Sequence, residues 1–175
     1  MIKKLAIALA IIIVAILAYA ATKPDTFRVE RSTTIKAPPE KIFALINDIH
    51  NWQAWSPYEK KDPNMKRTFS GAASGKGAIY EWQGNDDVGQ GKMEITEINP
   101  PTKIIIALHF IKPFQGDNTA EFNLEPQGNS TKVTWAMYGP NTYMCKIMQT
   151  FLDVNNMCGK DFDNGLAALK ATSEK

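Results

Sequence analysis

Residues 141–170 read NTYMCKIMQTFLDVNNMCGKDFDNGLAALK. Apolar side chains recur at Met144, Met148, Phe151, Cys158, Phe162, Leu166 and Leu169, in steps of three and four, or of seven where one slot is passed over. That spacing lays a single apolar stripe along one helical face. The slot passed over holds Asn155. Gly139-Pro140 ends whatever comes before, and Asn141 or Thr142 can cap the helix start. Unbroken, the helix would run about 45 Å at 1.5 Å per residue. Asn155-Asn156 and Gly159 mark the expected kink or break. A stripe this long needs a partner surface, and the chain upstream supplies one.

That upstream chain alternates with period two. Phe27–Ile35, Met65–Ser70, Ala78–Gln83, Val88–Ile98, Lys103–Ile111, Asn118–Glu125 and Thr131–Tyr138 all read as strands. Between the last six lie Gly, Pro and Asn clusters such as Gly71–Gly77, Gly84-Asn85-Asp86-Asp87 and Asn99-Pro100-Pro101, which predict an antiparallel meander. Between the first strand and the rest, Ala37-Pro38-Pro39-Glu40 opens a short amphipathic helix through Ile42, Phe43, Leu45, Ile46 and Ile49. His50–Trp55 adds a second short helix or helical turn. The fold expected is α+β: one curved sheet of about seven strands gripping a C-terminal helix, since a single sheet needs its apolar face covered.

The N-terminus is of another kind. Behind Lys3 and Lys4, Leu5–Ala21 gives seventeen residues without charge or proline, spanning about 25 Å as a helix against a hydrocarbon core of about 30 Å. Two readings compete. A signal peptide would be cleaved at Ala18-Tyr19-Ala20. An uncleaved anchor would set Tyr19 at the interface with Lys23 just beyond. The length of the run favours the anchor: single-pass in the inner (cytoplasmic) membrane, domain on the non-cytoplasmic side. The alternative is a cleaved, secreted or periplasmic protein. The organisation is thus residues 1–22 as anchor or signal, 23–26 as linker and 27–175 as the domain.

Charge and side-chain inventory exclude several classes. Taking Lys3, Lys4 and Lys23 from the formal charge of +2 leaves −1 for residues 24–175, so nothing favours nucleic-acid binding. The basic cluster Lys60, Lys61, Lys66 and Arg67 reads as a solvated loop. Cys145 and Cys158 are thirteen apart, about 20 Å along a helix, and are not expected to pair. Two cysteines and two histidines lack metal-ligand spacing, and no metal or cofactor is expected. Gly71–Gly77 resembles a phosphate loop but is one residue short and lacks the Ser or Thr after Lys76. Gly89-Gln90-Gly91 within a strand suggests a bulge or a close backbone approach. His109 reads as outward-facing or satisfied, and no catalytic motif emerges.

The stronger signal is aromatic and methionine content at inward positions. Tyr80 and Trp82 share one strand face, as do Phe122 with Ala120 and Leu124, and Trp135 with Val133 and Met137. Trp55, Met93 and Phe110 belong to the same candidate lining. From the helical stripe come Met144, Met148 and Phe151. Methionine adapts to irregular apolar shapes and aromatic rings give broad contact surfaces, so a small-molecule cavity between sheet and helix is expected alongside an ordinary core.

Several segments resemble the START/SRPBCC superfamily, whose helix-grip fold is shared by birch-pollen-type allergens, lipid-transfer START domains and polyketide cyclases. They are Phe27-Arg28-Val29-Glu30-Arg31-Ser32, Ala37-Pro38-Pro39-Glu40-Lys41-Ile42-Phe43, Asn51-Trp52-Gln53-Ala54-Trp55-Ser56-Pro57, Tyr80-Glu81-Trp82-Gln83-Gly84, Val88-Gly89-Gln90-Gly91-Lys92-Met93 and Gly165-Leu166-Ala167-Ala168-Leu169-Lys170. Within the superfamily the chain most resembles the bacterial polyketide cyclase/dehydrase and lipid transport branch, over about residues 27–172. The resemblance implies a cavity for a hydrophobic ligand and brings no shared catalytic motif. The expected function is binding of a hydrophobic small molecule, of lipid or isoprenoid type, by a membrane-tethered or exported domain. Two alternatives stay open: a cyclase- or hydrolase-type enzyme using the same cavity, and an envelope protein-interaction module without a ligand.

Overall fold

Period-two burial is what builds the sheet. The computed structural model describes residues 2–175. After helix α1 (Ile2–Ala21) come β1 (Thr26–Ile35), α2 (Pro39–Asn47), a 3-10 turn (Ile49–Ala54) and α3 (Pro57–Lys61). The meander follows: β2 (Lys66–Gly71), β3 (Ala78–Gln83), β4 (Gln90–Asn99), β5 (Lys103–Lys112), β6 (Gly116–Gln127) and β7 (Ser130–Pro140). Helices α4 (Tyr143–Phe151) and α5 (Val154–Ser173) end the chain. The strands form one antiparallel sheet in the order β1-β7-β6-β5-β4-β3-β2. β1 therefore lies beside β7, with Val29 opposite Met137 and Arg31 opposite Trp135, and the helical insert carries the chain to the far edge.

Every second side chain on the central strands is buried: Ala78 and Tyr80, Met93 and Ile95, Ile104 and Ile106, Phe122 and Leu124, Val133 and Trp135. Onto this concave face α5 sets Phe162, Leu166 and Leu169, all buried. The insert closes the other side of the core, because the Trp52 and Trp55 indoles donate to the carbonyls of Ile46 (2.9 Å) and Leu45 (3.1 Å) and fix the 3-10 turn to α2. β4 shifts register between Gln90 and Gly91, and a Cβ at Gly91 would clash with the Trp82 ring. The glycine is there so that an indole can lie over the backbone.

The terminal helix differs from the reading of its sequence. The break falls at Leu152-Asp153 and not at Asn155–Gly159. Leu152 turns extended (φ −120°, ψ 131°), and the Asp153 carboxylate caps α5 by accepting from the Asn156 amide at 2.9 Å. Asn155 and Gly159 lie inside α5, where they serve the inward-facing Arg31 of β1. Its guanidinium donates to the Asn155 side chain and carbonyl at 3.3 Å and occupies the space a Cβ at Gly159 would fill. The stripe is thus split between two helices. α5 alone grips the sheet, while α4 packs on α1.

The segment before and at the start of β2 is more ordered than expected. α3 is an additional helix, and Arg67 of the basic cluster is no solvated side chain. It is 18% exposed and ion-paired at 2.7 Å to Glu59 of α3, itself 8% exposed. His109 faces out and meets Asp117 across the β5–β6 pair.

Candidate functional site

Where α4 turns into α5, the helices stand away from the start of β1 and leave a cleft of about 500 Å³. Its apolar lining comes from Pro24, from Phe27 and Val29, inward on β1, and from Phe151, Leu152 and Val154 of the helical elbow. Lys23, Thr26, Arg28, Asn141, Gln149, Thr150, Asp153 and Asn155 share the lining, the Arg28 guanidinium itself being turned to the outer face of β1. Such a lining suits a molecule with an apolar body and a polar end. The volume falls within the range of about 300–1,000 Å³ usual for small-molecule sites.

The walls are tied down by polar contacts specific to this junction. Asn141, only 5% exposed, pairs its amide with that of Gln149 in both directions, at 3.2 and 3.1 Å. Its side chain also donates to the Pro24 carbonyl at 3.0 Å, and its backbone amide to the Asp25 carbonyl at 2.7 Å. Lys146, on the face of α4 turned into the domain, pairs with the Asp25 carboxylate. That hydrogen bond, with the lysine's charge, holds the Asp25 carboxyl below its ordinary range. Residues 24–25 are therefore strapped to the β7–α4 junction. On the rim, Arg28 pairs with Glu30 at 2.7 Å and lies over the Tyr138 ring.

The candidate residues read from the sequence fall into three places. Trp55, Phe122 and Trp135 come together at the centre of the sheet, joined by Trp52 and Phe162. Tyr80, Trp82 and Phe110 form a row towards the β2 edge, with Phe69 and His50 beyond. Met93 is buried in the core and Met137 packs partly against it. Met144, Met148 and Phe151 sit on α4, and of the candidate set only Phe151 borders the cleft. Sequence reasoning missed Phe27, Val29, Leu152 and Val154 as lining residues. An Asp directly after the apolar run, at 153, is an N-cap signal that would have moved the break to the elbow.

Elsewhere most polar groups are satisfied in pairs and networks, although Asn47 Oδ1, Trp135 Nε1 and Ser173 Oγ are buried without a hydrogen-bond partner among the described residues. The Tyr80 hydroxyl donates to Glu59 at 2.7 Å, opposite Arg67, and burial with this bond raises the phenol's pKa. The network clamps α3 onto β2 and β3. Burial likewise raises the pKa of Tyr58 and of the Cys158 thiol, with Asp161 adding to both. Cys145 and Cys158 are both free. Among the described residues no cluster of His, Cys, Asp and Glu is arranged to hold a metal ion.

The sequence pattern of the polyketide cyclase / dehydrase and lipid transport family matches residues 26–174. No curated protein sequence matches the chain. Among solved structures, protein CV1439 from Chromobacterium violaceum superposes with a TM-score of 0.60 at 17% identity, over 87% of this chain and 99% of that one. The Aha1 dimer of Colwellia psychrerythraea gives 0.59 at 18%, over 85% and 96%. Ara h 8.0201 gives 0.57 at 14%, over 85% and 97%. At these identities the likeness is one of fold.

Proposed function

Because the chain belongs to the polyketide cyclase / dehydrase and lipid transport family, we propose that its domain binds a hydrophobic small molecule of lipid or isoprenoid type in the cleft between β1 and the α4–α5 elbow. The observation that carries this reading is the cleft's mixed lining, which brings Phe27, Val29, Phe151, Leu152 and Val154 together with amide and charged groups. An acyl or prenyl chain lies along the first set while a polar head reaches the second. The centre of the grip is filled by the Trp135–Phe162 stack, which supports binding at the start of α5. The apolar helix α1, long and apolar enough to cross a membrane, holds the domain at the bilayer with Lys3 and Lys4 on the cytoplasmic side. The alternative for α1 is a signal sequence.

Mass spectrometry of organic extracts from the detergent-purified full-length protein tests the reading. The expected result is an apolar molecule at near-stoichiometric yield that is lost from a Val154→Trp variant, whose indole fills the cleft. Extracts of wild type and variant both identical to the detergent blank would overturn it.

A further inference from the structure

Helix α4 leaves an apolar face uncovered. Between Tyr143 and Leu152 the single charged side chain is Lys146, which is 7% exposed and turned inward to Asp25. Outward stand Tyr143 (48% exposed), Met144 (60%), Phe151 (67%) and Leu152 (44%), with Met157 (59%) beyond the elbow. Exposed charge resumes only at Asp153. A contiguous apolar face without charge marks an interaction surface.

What lies beside that face identifies its partner. α4 packs on the last turns of α1, where Ala20 is fully buried and the Tyr143 hydroxyl donates to the Leu17 carbonyl at 2.8 Å. If α1 crosses a bilayer from Lys3 and Lys4, the end carrying Leu17, Tyr19 and Ala20 reaches the opposite headgroup boundary. Anything packed on that end sits at the same depth. Tyr19 and Tyr143 are then two aromatic rings at one boundary, where such rings are favoured.

We propose that α4 and its C-terminal cap lie in the non-cytoplasmic interface of the bilayer that α1 spans, with Met144, Phe151 and Leu152 dipped to the hydrocarbon boundary. The polar side of the helix, Lys146 and Gln149, is committed to the domain through Asp25 and Asn141, so the outward side is free to enter lipid. Phe151 and Leu152 belong both to this face and to the cleft. The cleft mouth therefore opens at the membrane surface, and its ligand enters from the leaflet without crossing water. The inference rests on the anchor reading of α1.

The test is photolabelling of the full-length protein in phosphatidylcholine vesicles carrying a small fraction of diazirine-acyl phosphatidylcholine, with adducts mapped by peptide mass spectrometry. Adducts are expected in α1 and in the Tyr143–Met157 segment. In a Met144→Asp/Phe151→Asp variant, adducts in that segment fall at least about fivefold while those in α1 persist. Adducts confined to α1, or a variant labelled as strongly as wild type, would overturn the docking of α4 and leave the anchor standing. Adducts in neither segment would overturn both.

Discussion

Trp135 of β7 and Phe162 of α5 stack face to face, with ring centroids 4.2 Å apart and planes 10° apart. The grip helix is thus seated directly on the sheet at its centre, and a Cβ at Gly165 would come within 2.7 Å of the same indole. Removing the ring leaves a cavity with little means of collapse between two regular elements. Phe162→Ala should lower stability by about 3–5 kcal/mol, read by urea unfolding of the full-length protein. A loss below about 1 kcal/mol would mean that the helix does not rest on the stack.

Arg31 and Gly159 should be coupled. Gly159→Ala gains up to about 1 kcal/mol of helix propensity, but its methyl displaces the Arg31 guanidinium from α5, forfeiting hydrogen bonds of similar worth. The substitution is therefore expected to be near neutral in the wild type and stabilising by about 1 kcal/mol in an Arg31→Ala background. A double-mutant cycle from thermal unfolding checks this, and simple additivity would contradict it.

These residues also show why the strands were legible in the sequence and the helix break was not. Alternation in β1 and β3–β7 is a local signal set by one buried face, and the structure follows it within a few residues. Asn155 and Gly159 look like helix breakers only until Arg31, 124 positions from Asn155 in the chain, is placed against them. Periodicity likewise shows that Met144, Met148 and Phe151 share a face, but not whether sheet, α1 or lipid covers it. The cleft escaped notice for the same reason. Its apolar side joins the first strand to the last helical junction, and no local pattern links Val29 to Val154.

Alkaline pH should loosen the fold in steps. Burial raises the pKa of the Cys158 thiol above its ordinary 9.0, and those of Tyr58 and Tyr80 above their ordinary 10.0. For each, the unfolded chain loses its proton first, so the stabilisation is complete below the ordinary value and declines as pH rises towards the folded one. Urea midpoints should be level up to about pH 8 and fall from about pH 9 upwards, with the first part of the fall absent in Cys158→Ala. A midpoint rising across this range would contradict the burial of these groups.

The central claim, a ligand in the elbow cleft and not within the sheet, is tested most directly by moving a fluorophore there. The native tryptophans, Trp52, Trp55, Trp82 and Trp135, lie outside the cleft lining. Phe151→Trp adds one on its rim. Titration of the full-length protein in nanodiscs with palmitate and with farnesol should give a saturable blue shift in Phe151→Trp for at least one of them, and no saturable change in wild type. A saturable response in wild type that Phe151→Trp does not enlarge would place the ligand among the sheet aromatics and contradict the account, as would the absence of any response in both proteins.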